Sequence, residues 1–248
     1  MALLGSRRSL LGARTYTRGV SFDGTNDRFR TNAFSVSDGK VGTFSCWFWF
    51  RGGDAGFQDF VLVSTGGTTR FTVQKNTSNQ IVLFGRTAAG VTILNVSTTS
   101  TFTSAMTGWN HLCVTWDMAN TVRQIYVNGV AQGLTVTTFT NDTIDYTTPE
   151  FTVGADYGGT GQFVNGYVAQ MFLDLSNATD FSVSANLAKF FSPNRTPVDL
   201  GYDGSRPTGT VPSLFLNGGP TEFGTNKGSG GALTAFGALD PVAQRVRV

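Results

Sequence analysis

The chain holds two glutamates, Glu150 and Glu222, and one histidine, His111, so its stock of acid and base groups is small. Retaining glycoside hydrolysis needs two carboxyl groups about 5 Å apart, one as nucleophile and one as acid. Glu150 and Glu222 stand alone in the sequence, and neither is expected to be catalytic. His111 with Asp117 and a serine could form a hydrolytic triad, but that chemistry needs a serine on a sharp strand-to-helix turn, and no G-x-S-x-G is present. A hydrogen-bonded structural histidine is the expectation. Calcium would need six to eight oxygens, and the close acid pairs Asp54 with Asp59 and Asp142 with Asp145 supply too few. Solvated loops are expected at both pairs, with no cofactor. C-x-x-C metal spacing is absent, leaving Cys46 and Cys113 as single thiols.

Binding chemistry has better candidates. Sugar-binding modules stack pyranose rings on exposed aromatic side chains and add a few hydrogen bonds from amides or carboxylates. The glycine-rich run 156–163 (DYGGTGQF) sets Tyr157, Gln162 and Phe163 beside glycines that cannot bury them, and these three form the candidate glycan contact. Trp47 and Trp49 share a face of 44–50 (FSCWFWF), but the other face is apolar too, which predicts a central strand buried on both sides.

The elements that must position these residues are strands. Charged residues make up 14% of the chain and glycine is abundant, a composition suited to short strands and tight turns rather than to amphipathic helices. Residues 108–117 (GWNHLCVTWD) and 123–131 (RQIYVNGVA) alternate apolar and polar around a polar turn, which predicts an antiparallel hairpin. Asn128-Gly129 then supplies a tight turn.

This hairpin resembles the central hairpin of the laminin-G-like and pentraxin-like jelly rolls, the concanavalin-A-like sandwiches. Residues 20–27 (VSFDGTND) resemble the opening strand of that family, 44–50 its aromatic second strand, and 151–154 (FTVG) with 166–173 (GYVAQMFL) its closing pair. The resemblance implies an all-β, two-sheet antiparallel jelly roll over residues 20–182 and a binding or structural role. It also implies that Cys46 and Cys113 lie on neighbouring strands, as do the cysteines of the pentraxin disulfide, with oxidation left to the redox compartment.

The ends carry a different signal. Arg7, Arg8, Arg14 and Arg18 fall within residues 1–19 with no acid before Asp23, although the net charge of the whole chain is only +2. Such a segment has the character of a transit peptide or of an arm docked on a partner, and is too charged for a secretory signal. Four charges support no specific nucleic-acid binding, and no stretch is long and apolar enough for a membrane helix. Five N-x-S/T sequons are near what chance gives and say nothing of secretion. Residues 183–248 form an extension with a short helical turn at 186–191 and strands at 213–218 and 232–236, packing on or extending the sandwich. Its motifs, PVDLGYDGSRPTG at 197–209, LFL at 214–216 and FGTNKGSGG at 223–231, resemble the segment that follows laminin-G-like domains in tailed-phage structural proteins. That resemblance implies a non-enzymatic virion protein, present in many copies on head or tail and assembled in the host cytoplasm. Its arginines would anchor it to capsid or tail proteins, and its loops would touch host surface glycans. A soluble carbohydrate-binding or glycan-processing protein outside a virion is the alternative.

Overall fold

The computed structural model describes residues 19–147 and 149–241, so Arg7, Arg8, Arg14 and Arg18 lie outside the described residues. Within them, sixteen strands follow one another: β1 (Gly19–Asp23), β2 (Arg28–Thr31), β3 (Val41–Phe50), β4 (Gln58–Thr65), β5 (Thr68–Lys75), β6 (Ile81–Arg86), β7 (Thr92–Thr98), β8 (Asn110–Asp117), β9 (Val122–Val127), β10 (Val130–Ala131), β11 (Leu134–Phe139), β12 (Glu150–Val153), β13 (Asn165–Asp174), β14 (Leu214–Leu216), β15 (Thr234–Phe236) and β16 (Asp240–Pro241). Helix is confined to α1 (Ser184–Leu187), α2 (Pro220–Phe223) and a single 3-10 turn at Tyr157–Gly159 among the described residues.

These strands make two antiparallel sheets. The first runs β10-β9-β8-β3-β13-β1-β16, with β14 also against β13, and the second runs β11-β7-β6-β5-β4-β12-β2-β15. The period of two explains why they stack. On β3, Phe44, Cys46, Phe48 and Phe50 enter the inter-sheet core, and opposite them on β8 so do Leu112, Val114 and Trp116. Each fully buried aromatic or aliphatic side chain contributes roughly 1.5–3 kcal/mol of transfer free energy, which only a facing sheet can collect. Gly42 opposes Trp116, and a Cβ there would stand 2.1 Å from the indole ring, so even alanine at position 42 would displace the core.

The predicted hairpin is present as β8 and β9, paired from Leu112 with Val127 to Asp117 with Val122. The two segments expected to close the fold as a pair do not pair: β12 lies in the second sheet between β4 and β2, and β13 lies in the first. The helical turn sits slightly earlier than expected, at Ser184–Leu187. The extension is threaded into both sheets, β14 against β13, β16 against β1 and β15 against β2.

A bulge in β13 lets one strand serve several partners. Gln170 takes a positive φ of 47°, and the register with β3 shifts between Ala169 and Phe172. On the side away from β3, β1 pairs residues 165–169 and β14 takes over at 171–173. The freed Gln170 side chain donates to the Val198 carbonyl at 2.7 Å. It thereby ties the segment after β13 across the outer face of the first sheet. There Phe181, Phe190 and Leu200 pack on Cys113, Phe172 and Phe215, and Phe191 packs on Trp47 and Ala169. Gln124 pins the start of this cap, donating to Asp180 and accepting from the Phe181 amide, each at 2.7 Å. Trp47 is accordingly buried, as the two apolar faces of its strand predict, while Trp49 is half-buried.

Candidate ligand-binding face

His111 sits under the cap. Its Nε2 is 2.9 Å from Ser45 Oγ and its Nδ1 3.6 Å from Cys113 Sγ, and its ring stacks on Phe191 with centroids 5.3 Å apart. Burial lowers its pKa to about 3, so the imidazole is neutral and both nitrogens face protein partners. Ser45, His111 and Cys113 form a buried polar knot without a route for substrate, since each is at most 2% exposed. Asp117 plays no part in it. Its carboxylate instead accepts from the backbone amides of Ala119 and Asn120 in the hairpin turn. The thiols are free, and the register explains it. Cys46 opposes Leu112 and Cys113 opposes Ser45, an offset of one residue that sends Cys46 into the inter-sheet core and Cys113 under the cap. They lie on neighbouring strands, but a disulfide between them is excluded by opposite faces.

The outer face of the second sheet is built otherwise. Loop 154–163 leaves β12 and turns back over that sheet. Asp156 organises it by accepting from the amides of Thr160 at 2.7 Å and Gly161 at 2.8 Å. The Asp59 amide on β4 donates to the Gln162 carbonyl at 3.0 Å, clipping the loop to the sheet. Tyr157 is 41% exposed at its crest, whereas Gln162 and Phe163 are half-buried. Of the three expected contacts, Tyr157 is the one most open to solvent. Beneath and beside the loop stand Arg28 and Arg30, alternate residues of β2 on one face, with the buried Phe29 between them turned inward. Their guanidinium carbons lie 4.4 and 5.6 Å from the centre of the Phe236 ring on β15. Gly159 has φ 65°, and a Cβ there would fall 1.9 Å from Arg28 Nε, so only glycine lets the loop lie against this arginine. Glu150 closes the group. Its Oε1 accepts from the Gly158 amide at 2.6 Å and from Thr152 Oγ1 at 3.2 Å, and its Oε2 is 3.6 Å from Arg30. Glu222 lies elsewhere, in α2.

The acid pairs do not converge into an oxygen cage. Asp54 accepts from the amide and hydroxyl of Ser104, and is 3.9 Å from Lys75 Nζ. Asp59 is not in a solvated loop as expected: it is fully buried on β4 and accepts from Thr72 at 3.0 Å. Burial, with the Asp156 charge adding to it, pushes the Asp59 carboxyl well above the usual range, against the Thr72 hydrogen bond. Asp145 likewise is buried rather than solvated, 3.4 Å from Arg70, while Asp142 is exposed. Among the described residues no three His, Cys, Asp or Glu side chains gather to hold a metal ion. A cleft of about 400 Å³ between residues 35–41 and the C-terminal region is lined mainly by serines and carries Asp38 as its one ionisable group.

Sequence reasoning found the loop but missed Arg28, Arg30, Phe236 and the Ser45 partner of His111. The Arg-Phe-Arg alternation at 28–30 was the available signal, because a buried phenylalanine between two arginines places both on one face.

The concanavalin A-like lectin/glucanases superfamily (Laminin_G_3) matches residues 23–173, more than half of the chain. No curated protein sequence matches it. Among solved structures, a candidate carbohydrate-binding protein from Bacteroides ovatus is 14% identical with a TM-score of 0.64, over 93% of this chain and 61% of that one. The heptameric SAP-like pentraxin of Limulus polyphemus is 13% identical with a TM-score of 0.58, over 91% and 94%. The extracellular region of zebrafish Gpr126/Adgrg6 is 17% identical with a TM-score of 0.51, over 68% and 23%. At these identities the likeness is one of fold.

Proposed function

The chain belongs to the concanavalin A-like lectin/glucanases superfamily, and from that membership we propose that it is a non-enzymatic glycan-contacting protein on the surface of a tailed-phage virion. The observation that carries the glycan reading is the exposed Tyr157, held at the crest of a hydrogen-bonded loop over the second sheet, its ring beside Gly67 of the β4–β5 turn. An aromatic plate with polar neighbours is the usual means of seating a pyranose ring. Action without catalysis is supported by Glu150, whose two oxygens are engaged by Gly158, Thr152 and Arg30, and by His111, sealed and neutral under the cap. The virion reading rests on the motifs of residues 197–231, and places the arginines of residues 1–19 against capsid or tail proteins through charge-assisted hydrogen bonds. Many copies on one particle would compensate for a shallow single site.

Two measurements test the reading. A glycan array probed with the full chain and with Tyr157→Ala should give binding that the variant loses; equal binding by both would remove the loop from the site. Deleting residues 2–18 should leave the thermal transition of the sandwich unchanged and abolish incorporation into particles. Normal incorporation of the truncated chain would refute anchoring by the arm. A soluble carbohydrate-binding module is the second reading, favoured by the fold shared with the Bacteroides protein. It predicts the same array result and no copy of the chain on purified particles.

A further inference from the structure

We propose that the cleft between residues 35–41 and the C-terminal region is a socket for a lysine side chain of a partner protein, with Asp38 as the group that holds the ammonium. The cleft shares no residue with loop 154–163, and the inference does not depend on the glycan reading.

The walls are fixed before any ligand arrives. The Ser35 amide donates to the Gly230 carbonyl at 2.9 Å, and Gly39 and Ile144 exchange backbone hydrogen bonds at 3.2 and 2.8 Å. Between these ties Asp38 Oδ1 accepts from the amides of Tyr146 and Thr147 at 2.9 and 3.0 Å. On the other side, Ser229 donates to the Pro212 carbonyl from its amide at 2.8 Å and from Oγ at 3.2 Å.

The electrostatics ask for a cation. Asp38 is the one ionisable group of the cleft, and among the described residues it has no ion-pair partner. Two basic side chains of the surrounding segments are committed elsewhere, Arg70 to Asp145 at 3.4 Å and Lys40 to the Asn141 side chain at 3.0 Å. The form of the cation follows from the carboxylate. Oδ1 spends both lone pairs on amides, so Oδ2 alone is open. A guanidinium fork seeks both oxygens at once, whereas an ammonium is a compact charge with three donors pointing apart. The hydroxyls of Ser35 and Ser37 make no hydrogen bond among the described residues and supply acceptors for the donors that remain.

The rest of the lining suits the stem. Val36, Val41, Leu175 and Val211 also face the cleft, and Val211 is 42% exposed at its mouth. Lysine lays its methylenes along such apolar surface and keeps its charge at the polar end. A volume of about 400 Å³ admits that side chain. An exposed ion pair is weak alone, which favours a side chain presented by a docked protein, with its neighbouring contacts, over a free amine.

The test follows the amide resonances of Tyr146 and Thr147, the donors to Asp38, in titrations of the full chain. The probes are capped tripeptides with lysine, arginine or norleucine between two glycines, pentylammonium, and a neutral disaccharide. Asp38→Asn keeps an oxygen for the two amides and removes the charge. Val211→Lys sets a tethered ammonium at the mouth, and Asp142→Asn, exposed and outside the cleft, is the charge control. The lysine peptide should shift both resonances saturably, with the arginine peptide and pentylammonium at least about threefold weaker and norleucine inert. Asp38→Asn and Val211→Lys should abolish the response with melting temperatures preserved, and Asp142→Asn should leave it unchanged. Equal response to lysine and norleucine, or equal loss in Asp38→Asn and Asp142→Asn, would overturn the socket. Pentylammonium binding as tightly as the peptide would overturn the protein source, and a response to the disaccharide alone would overturn the cation. Should Asp38→Asn fail to fold, a lysine response that survives in Val211→Lys overturns the site, as does no response to any probe.

Discussion

The two outer faces of the sandwich begin from similar strands and end in opposite states. The first sheet is roofed by its own chain: Phe181, Phe190, Phe191 and Leu200 turn its outer surface into a second core, in which Ser45 and His111 are satisfied by one another and Trp47 Nε1 is left without a partner among the described residues. The second sheet carries the ten-residue loop 154–163, which leaves Tyr157 exposed at its crest and Arg28 and Arg30 half-buried beside it. One face is sealed by its own chain and the other stays partly open to solvent. The difference follows from side-chain type. Where outward positions are Trp47, Ala169 and Phe172, water must be excluded; where they are the half-buried Arg28 and Arg30, water reaches the surface, although Thr72 and Thr152 on neighbouring strands are buried and bonded within the protein.

The largest break in this contrast should come from the roof. Phe190→Ala removes a fully buried ring packed 5.1 Å from Phe172 and 5.6 Å from Phe181, and should cost about 3–5 kcal/mol in urea unfolding. Phe236→Ala on the open face should cost under about 1 kcal/mol, since it loses a half-buried ring and exposed cation–π contacts. Similar losses at the two sites would erase the distinction.

Acid should separate the faces next. The unfolded chain protonates His111 near pH 6.5 and the native chain only near 3, so this contribution to stability is whole above 6.5 and is lost as pH falls toward 3. Asp59 has the opposite sign. Its native pKa is raised, so its contribution is whole below about 3.8 and is lost as pH rises through the native value. In stability measured from pH 7 to 4, His111→Gln should flatten the acid-side decline, and Asp59→Asn should raise stability at pH 7 relative to pH 4. An unchanged slope in either variant would remove that residue from the balance.

A finer test concerns the thiols. Cys46 in the core and Cys113 under the roof both have pKa values pushed up by burial, so neither should react with a thiol reagent in the native protein at pH 8, and both should react in denaturant. Selective native labelling of Cys113 would show a roof that opens. The smallest effect should be Tyr157→Ala, within about 0.5 kcal/mol of the parent in stability because its ring is surface-exposed.

Legibility in the sequence divides along the same line. Strands of the first sheet announce themselves: 44–50 and 111–117 put an apolar residue at nearly every core position, and the hairpin turn is marked by polar residues. Much of the second sheet, β4 to β7 and β11, escaped notice because runs such as Thr68–Lys75 and Leu134–Phe139 are rich in threonine and read as loop until a neighbour pairs with them. The candidate face was half visible. Tyr157 sits among glycines that mark a surface loop, but Phe236 is brought to β2 by pairing between residues far apart in sequence, Phe236 with Arg28, which no local pattern encodes.

The strand that opens the described chain has to wait for both of its neighbours. Residues 19–23 pair with 165–169 on one side and 240–241 on the other. During synthesis, which proceeds from the N-terminus, β1 therefore emerges with two bare edges and keeps one until almost the last described residue has been made. Closure of this sandwich is a late event for a ribosome-borne chain, and pairings of such long range fold slowly. Nascent copies translated side by side would expose identical free edges to one another throughout that interval, so the fold demands either dilution or a chaperone while it is being born.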